Sequence, residues 1–223
     1  MLRYEYKYFV SYDLLDHLRA LLSPFLALDD YAAQQGGEYT VRSIYFDTPD
    51  WECYFLKMAG VKQRNKVRLR GYNVGDADSQ VFFEVKKKVG EPLHKHRASL
   101  TYAEAQRFLY HVHARRMRPV LTVIYDREPY HVPAFDKEND LRVTFDKHLR
   151  STAWPALDEL FEEKQARLVK PQHFILEVKF NRYLPAWIKA ILCSLGLTRG
   201  SASKYALCVQ AHPELTAGNR RFL

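Results

Sequence analysis

Hydrophobic and polar residues alternate with a period of two through five separate stretches of this chain. The sharpest is Lys66-Val67-Arg68-Leu69-Arg70, which has the period of a β-strand and not of a helix. One face of that strand carries three cations about 6–7 Å apart, and the other carries Val67 and Leu69. Arg3, Glu5 and Lys7 alternate in the same way with Tyr4, Tyr6 and Tyr8. Glu84, Lys86 and Lys88 stand opposite Phe83 and Val85, Arg142, Thr144 and Asp146 opposite Val143 and Phe145, and Glu177 and Lys179 opposite Val178 and Phe180. A single stretch of this kind describes the solvated side of a surface strand. Five stretches of one design point to a common charged face.

Between them the period changes. Leu2–Val10 reads as the first strand. Ser11 is placed to cap a helix whose Leu14, Leu15, Leu18, Leu21 and Leu22 form one apolar stripe, stopped near Pro24. A loop through Gly36-Gly37 leads to a strand over Tyr39–Phe46. Asp47 or Thr48 then caps a helix with Pro49 in its first turn and Gly60 at its end, Trp51, Tyr54, Phe55 and Met58 being its apolar face. Strands follow at Val81–Lys88 and near Lys95–Leu100. Thr101 and Glu104 form a capping box for a helix through about His113. Further strands are expected over Val120–Tyr130, Asp140–Asp146 and Phe174–Asn181. Pro155–Leu168 is weakly helical in pattern. A helix from Pro185 to about Leu195 ends at Gly196, and Ser203 starts a last short one. No repeat, low-complexity tract or long linker divides the chain, so residues 1–223 are expected to form one α+β domain: a closed or nearly closed antiparallel sheet with helices packed on it.

Composition narrows this picture. The 223 residues are 47% hydrophobic and 14% aromatic, enough for a substantial core, and the net charge is +8. Such a balance calls for an anionic partner. The three cysteines, Cys53, Cys193 and Cys208, match no disulfide framework or zinc spacing and are expected to be buried free thiols. His94, His96, His111 and His113 have no zinc spacing either. Charge from Arg3 through Lys7 argues against a signal peptide, and the most apolar helical stretch, Trp187–Leu197, is too short to span a bilayer. A soluble, cytoplasmic protein is expected, with no membrane segment.

The charged faces decide which side of the sheet is inside. Arg3, Lys7, Arg42, Lys66, Arg68, Arg70, Lys86, Lys88, Arg127, Arg142, Lys179 and Lys204 are twelve cations, against the four anions Glu5, Glu84, Asp146 and Glu177; the excess equals the net charge of the whole chain. Like charges on neighbouring strands repel, so this concentration destabilises an empty fold and makes sense around a polyanion. The amphipathic helices, for their part, need an apolar surface to cover, which the outside of a barrel supplies. The barrel is therefore expected to be inverted, with charges lining a lumen about wide enough for one small ligand such as a triphosphate.

Taken in order, Arg3-Tyr4-Glu5-Tyr6-Lys7, Ser43-Ile44-Tyr45-Phe46-Asp47-Thr48-Pro49, Lys66-Val67-Arg68-Leu69-Arg70, Glu84-Val85-Lys86, Tyr125-Asp126-Arg127, Arg142-Val143-Thr144-Phe145-Asp146, Glu177-Val178-Lys179 and Ser203-Lys204-Tyr205 resemble the triphosphate tunnel metalloenzymes, a CYTH-like superfamily. Among these they are most similar to the catalytic domain of the vacuolar transporter chaperone (VTC) polyphosphate polymerases. The resemblance implies an eight-stranded antiparallel β-barrel, the triphosphate tunnel, with a charged lumen and helices packed on the outside. It implies as ligands ATP, triphosphate or polyphosphate with a divalent metal, Mn²⁺ or Mg²⁺, and as activity the synthesis of polyphosphate from ATP. Hydrolysis by a tripolyphosphatase or nucleoside triphosphatase stays open as an alternative, as does a non-catalytic polyphosphate-binding module. Arg3 stands where the wider superfamily often has a first glutamate, which favours the VTC branch and removes one metal ligand.

Phosphoryl transfer depends mostly on positioning and charge. Arg68, Arg70, Arg127 and Arg142 suit bidentate phosphate contacts, and Lys7, Lys86, Lys179 and Lys204 act as point charges. Arg42, Lys66, Tyr125 and Ser203 are further substrate-binding candidates, Tyr125 having a core role as its other reading. Glu177 is the first choice for metal ligand; Glu5 and Glu84 come second, each equally readable as a counter-ion to neighbouring lysines. Lys87 turns away from Lys86 and Lys88, so the three lysines do not make a nucleic-acid site, and nucleic-acid binding is expected only if the charged faces point outward. There is no P-loop, dinucleotide turn or nucleophile motif.

Overall fold

The computed structural model describes residues 4–61, 63–88, 93–112, 117–133 and 140–217. In chain order its strands are β1 (Tyr4–Ser11), β2 (Ala27–Leu28), β3 (Tyr39–Asp47), β4 (Arg64–Tyr72), β5 (Gln80–Lys88), β6 (Leu93–Thr101), β7 (Arg118–His131), β8 (Arg142–Ala153), β9 (Arg167–Leu168) and β10 (His173–Phe180). The six helices are α1 (Leu15–Leu22), α2 (Asp30–Gln34), α3 (Glu52–Met58), α4 (Tyr102–Val112), α5 (Ala186–Ser194) and α6 (Lys204–Gln210). The fold is α+β with a large antiparallel sheet. The chain divides into two compact units: unit one comprises Met1–Tyr39, Tyr125–Leu149 and Lys170–Ala202, and unit two comprises Thr40–Ile124, Arg150–Val169 and Ser203–Leu223. Strands β7 and β8 contribute one end to each.

In unit one the strand order is β1-β10-β8-β7, with β2 on β7. Register fixes the faces. Lys7 lies opposite Glu177 and Glu5 opposite Lys179 on the β1–β10 ladder, while Glu177 faces Thr144 and Lys179 faces Arg142 on the β10–β8 ladder. All of these share one side. The alternate residues Val143, Phe145, Phe174, Leu176, Val178 and Phe180 form the core with Leu18 and Leu22 of α1 and Ile188 and Leu192 of α5. The apolar face is thus the one under the helices, as the sequence pattern requires.

Unit two repeats the arrangement with the order β7-β3-β4-β5-β6 and β9 on β8. Leu69, fully buried, packs with Ile44, Phe46 and Val81 of the neighbouring strands and Tyr102 and Ala105 of α4; Val67 and Phe83 lie against the same cluster. The α4 start is the expected capping box: Glu104 N–H donates to Thr101 Oγ1 at 3.2 Å, and Thr101 N–H donates to the Glu104 carboxylate at 2.8 Å.

Three local differences from the sequence reading have identifiable causes. Residues 155–168 form isolated turns and the short strand β9, and no helix. Leu160 is fully buried in the unit-two core, and the Tyr102 hydroxyl donates to the Leu157 carbonyl at 2.5 Å while accepting from Leu160 N–H at 3.0 Å. The Phe161 ring also lies so close to Gly71 that a Cβ there would stand 2.7 Å from it, and these anchors outweigh a weak helical pattern. Helix α3 starts later than expected, at Glu52, because Trp51 is buried in a left-handed conformation (φ 58°). Asp47 and Thr48 still cap it: Thr48 Oγ1 accepts from Glu52 N–H, and the Asp47 carboxylate from Cys53 and Tyr54 N–H. Met58, assigned to that helix's apolar face, is exposed. Strand β8 runs seven residues past Asp146, to Ala153. The polar Lys147 hid the continuation, being buried on the helix-covered parity of the strand and neutralised by Glu128 at 2.6 Å and Glu38 at 2.5 Å.

The cysteines are free, Cys53 and Cys208 buried as expected but Cys193 exposed. Among the described residues no helix is long and apolar enough to cross a membrane. His96 is exposed; Arg3, His113 and the side chains of Lys87, Lys88, His94 and His111 lie outside the described residues.

Two outcomes test these packing arguments. Leu69→Ala should lose about 2–5 kcal/mol in urea unfolding, whereas Val74→Ala, at a position 83% exposed, should change stability by less than about 0.5 kcal/mol. Burial alone would raise the Glu128 carboxyl, but hydrogen bonds from Arg19, Lys147 and Tyr130 outweigh it and lower the group from its ordinary 4.5 to about 2. A depressed carboxyl stabilises the fold above its unfolded pKa, and that stability is lost as pH falls through the folded one. Acid unfolding of the parent should therefore steepen between these values, and Glu128→Gln should be less stable at neutral pH and flatter across the same window.

Candidate functional site

The charged face of unit one is close to neutral. Lys7 Nζ lies 2.8 Å from Glu5 Oε1 and 3.2 Å from Glu177 Oε1, and Lys179 Nζ lies 2.8 Å from Glu177 Oε2 and 4.0 Å from Glu5 Oε2. Burial pushes the Glu5 carboxyl up, and Glu177 adds to that, but Lys179 and Lys7 overcome both and hold it at about 2. Arg127 spends its fork on Asp146, Nε to Oδ1 at 2.7 Å and Nη2 to Oδ2 at 2.8 Å, with Glu177 Oε2 3.5 Å from Nη2. Burial works against its charge, but Asp146 more than restores it. Tyr125 is buried, its ring 5.3 Å from the Arg127 guanidinium carbon. Arg142 reaches Asp29 at 3.4 Å and keeps its buried Nε without a hydrogen-bond partner.

Unit two holds the cationic excess. Arg68 and Glu84 are register partners on β4 and β5, and Glu84 and Arg97 on β5 and β6, a row of alternating sign. Its pairs are made: Arg68 Nη2 lies 2.5 Å and Arg97 Nε 3.4 Å from the buried Glu84 carboxylate. The next row sets Lys66 against Lys86 in register. Arg70, buried, donates to Ser43 Oγ at 3.2 Å. Lys66 Nζ donates to Ser203 Oγ at 3.1 Å, the N-cap of α6, and the buried Lys204 follows it.

Strand parity also brings in three residues the sequence reading did not assign to the site. Ser43, Tyr45 and Asp47 share the face of Arg68 and Arg70, because Tyr45 pairs with Arg68 and Ser43 with Arg70. Tyr45 accepts from Arg68 Nη1 at 2.9 Å and stacks on Tyr205 at 5.0 Å between centroids. Burial would raise its phenol, but Arg68, Lys66 and Arg70 lower it to about 8. Asp47 is fully buried and accepts from Tyr205 Oη at 2.6 Å, so one carboxylate ties α3 and α6 to the end of β3. The signal for Tyr45 was present in the alternation Ser43/Tyr45/Asp47. Arg42, in contrast, shares the parity of Ile44 and Phe46; it is buried, donates to the Asn73 carbonyl at 2.7 Å and pairs with Glu163 at 2.5 Å. That places it on the face opposite Arg68 and Arg70.

Among the described residues no three His, Cys, Asp or Glu side chains converge as a metal site. The unit-one cluster nevertheless fits a hard divalent ion. Glu5 and Glu177 already direct oxygens onto one cationic point, now the Lys7 ammonium. Thr144 Oγ1, buried and without a hydrogen-bond partner, sits at the register position beside Glu177. One or two carboxylates completed by substrate phosphates and water is the usual provision for Mg²⁺. Glu84 is placed as a counter-ion to Arg68 and Arg97.

This combination of an antiparallel sheet, a helix-covered apolar face and a charged face defines a class. The chain is similar in structure to a "putative adenylate cyclase" of Vibrio parahaemolyticus (TM-score 0.55, 13% identity, 93% of this chain and 97% of that one). It is similar also to a "putative adenylate cyclase" of Bacillus halodurans (TM-score 0.50, 14% identity, 91% and 96%) and to a protein of Pyrococcus horikoshii (TM-score 0.52, 12% identity, 92% and 99%). The fold is that of the CYTH-like triphosphate tunnel proteins. The VTC domain family model matches residues 2–116 and 103–212, and the chain belongs to that family, which implies the handling of triphosphates. No curated protein matches it.

The Arg68–Glu84 pair yields a stability test. Arg68→Ala takes from the buried Glu84 carboxylate its 2.5 Å guanidinium partner, and breaking a buried pair costs about 3 kcal/mol or more. Arg68→Ala should therefore lower the denaturation midpoint strongly, and adding Glu84→Gln should recover at least half of the loss. A double variant no more stable than Arg68→Ala would show that the pair is not what holds this part of the sheet.

Proposed function

We propose that this chain is a metal-dependent enzyme acting on triphosphates, and that its reaction is polyphosphate synthesis from ATP. The observation that carries this reading is the charged face of unit two, where Lys66 and Lys86, in register, adjoin Arg68 and Arg70. Such an array repels itself and is stabilised by a polyanion. Family membership supports the substrate class and the tunnel of eight antiparallel strands in which the family binds it.

In this reaction a terminal oxygen of polyphosphate bonds to the γ-phosphorus of ATP, and the bond from that phosphorus to the bridging oxygen breaks, releasing ADP. The nucleophile is already an anion, so no general base is required. The work left to the protein is alignment and charge stabilisation. Lys66, Arg68, Arg70 and Lys86 bind phosphoryl oxygens from β4 and β5, with Ser203 and Lys204 at the start of α6. Lys7, Arg127, Arg142 and Lys179 serve the same end in unit one, where Tyr125 underlies Arg127. Glu5 and Glu177 would hold the divalent ion, which would supply neutralisation of phosphate charge. Arg42 is left to structure, since Glu163 and the Asn73 carbonyl already engage it.

The experiment is incubation with ATP and Mn²⁺ or Mg²⁺, followed by gel analysis for polyphosphate beside a free-phosphate assay. Polyphosphate formation supports the proposal. Orthophosphate alone would make the chain a triphosphatase, and binding of tripolyphosphate without turnover would make it a binding module. Glu177→Gln should reduce metal-dependent turnover by about 10–100-fold or more while retaining or tightening the binding of metal-free tripolyphosphate, since one negative charge has gone. Turnover within a few-fold of the parent at saturating Mn²⁺ would remove Glu177 from the metal site.

A further inference from the structure

The cationic cluster of unit two encloses the Tyr45 hydroxyl, whose proton has no acceptor among the described residues. The Tyr45 oxygen takes a hydrogen bond from Arg68 Nη1 at 2.9 Å, and this is its one hydrogen bond among the described residues. A phenol can donate as well as accept, and the side chain is only 6% exposed. The ring cannot turn away from the cluster without losing its stack on Tyr205, whose own hydroxyl is committed to Asp47. A buried donor held beside three cations, on the face that carries them, lacks one thing: an anionic acceptor.

We propose that Tyr45 is a substrate-binding residue, its phenol donating a hydrogen bond to a phosphoryl oxygen that Lys66, Arg68 and Arg70 hold. This deepens the triphosphate reading above and rests on it. The donation gives the phenol a function that a surrounding ring of lysines and arginines does not supply, a directional contact to one oxygen and not only a field.

The same placement makes binding sensitive to pH. The charged and titratable groups around the phenol are Lys66, Arg68 and Arg70 of β4, Glu84 of β5, Asp47 of β3, Cys53 and Tyr54 of α3, and Lys204 and Tyr205 of α6. Glu84 is already paired with Arg68 and Arg97. Burial and then Asp47 push the Cys53 thiol and the Tyr205 phenol well up, so both stay protonated, and burial raises Tyr54 as well. Tyr45 alone among these phenols and thiols is shifted down, to about 8. Above that value it is a phenolate, unable to donate and repelled by phosphate. Binding must then weaken as pH rises through it, and bound phosphate must in turn raise the phenol.

The test is calorimetric titration of the full chain with inorganic tripolyphosphate, free of metal, from neutral to alkaline pH, for the parent and Tyr45→Phe. The variant keeps the ring and its stack. At neutral pH it should bind about tenfold more weakly, as expected for losing a hydrogen bond to a charged group. On the alkaline side the parent should lose affinity faster than the variant, so that the two curves converge; the ligand's own protonation is common to both and cancels. In the parent alone, tyrosinate absorbance should show one phenol ionising near pH 8 that saturating tripolyphosphate shifts upward, a measurement that needs no variant. If the parent binds tripolyphosphate and Tyr45→Phe matches it in affinity and pH profile, the role assigned to Tyr45 is wrong and the triphosphate reading stands. Failure of the parent to bind tripolyphosphate at all would overturn both.

Discussion

The constraint on which the rest of this structure depends is the meeting of charged side chains across neighbouring strands on the side of the sheet away from the helices. Once Leu69 and Val178 are committed to helix-covered cores, strand parity leaves their neighbours Arg68, Arg70, Glu177 and Lys179 no choice of side. Two unit charges at a cross-strand distance of about 5 Å interact by about 3 kcal/mol at an effective dielectric of about 20. That is large beside the few kcal/mol by which a domain is stable, so the sign of each register pair matters. On the β1–β10 ladder the pairs are opposite in sign, Lys7 with Glu177 and Glu5 with Lys179. On the β4–β5 ladder one row alternates and the next sets Lys66 against Lys86. The two units spend their charges differently: one holds carboxylates between lysines, and the other gathers cations.

On the proposed function, this difference separates two chemical tasks. A cluster in which two carboxylates converge on one ammonium is built to hold positive charge, and exchanging that ammonium for a divalent ion changes the identity of the cation and not the logic of the site. A cluster of arginines and lysines around a phenol would, on the same proposal, hold negative charge, with the phenol adding direction. The arginines are not equal participants. Arg127 has both ends of its fork on Asp146 and acts as a fixed charge. Arg68 divides its nitrogens between Glu84 and Tyr45, and Arg70 is held by the neutral Ser43 hydroxyl.

Buried polar anchors set these clusters in place. Asp47 accepts four hydrogen bonds, from Thr48, Cys53 and Tyr54 N–H and from the Tyr205 hydroxyl. It thereby fixes the first turn of α3 and the ring on which Tyr45 stacks. In unit one, Glu128 collects Arg19, Lys147 and Tyr130 on the helix-covered side, and the β7 strand that carries it also presents Arg127. A buried carboxylate with that many donors positions its neighbours far more sharply than apolar packing does, at the cost of sensitivity to the loss of any one donor.

How much of this the sequence determined follows from the physics of each feature. Alternation with a period of two is local, so the strands around Lys66–Arg70, Glu84–Lys86 and Glu177–Lys179 and the side on which each residue lies were legible, as was the Thr101–Glu104 capping box. The ordered motifs carried the family. Residues whose roles depend on partners distant in the chain were not legible. Arg42 read as a substrate contact until its parity with Ile44 and its bond to Glu163 placed it on the other face. Lys147 concealed the second half of β8 because a buried lysine looks polar until Glu128 and Glu38, some 19 and more than 100 positions away along the chain, are seen to neutralise it. The turns over 155–166 were decided by Tyr102 and the Gly71–Phe161 contact, and the position of Tyr45 by Arg68 and Tyr205. A strand's face is a property of its own sequence; which charge meets which across the sheet is decided only by register and packing.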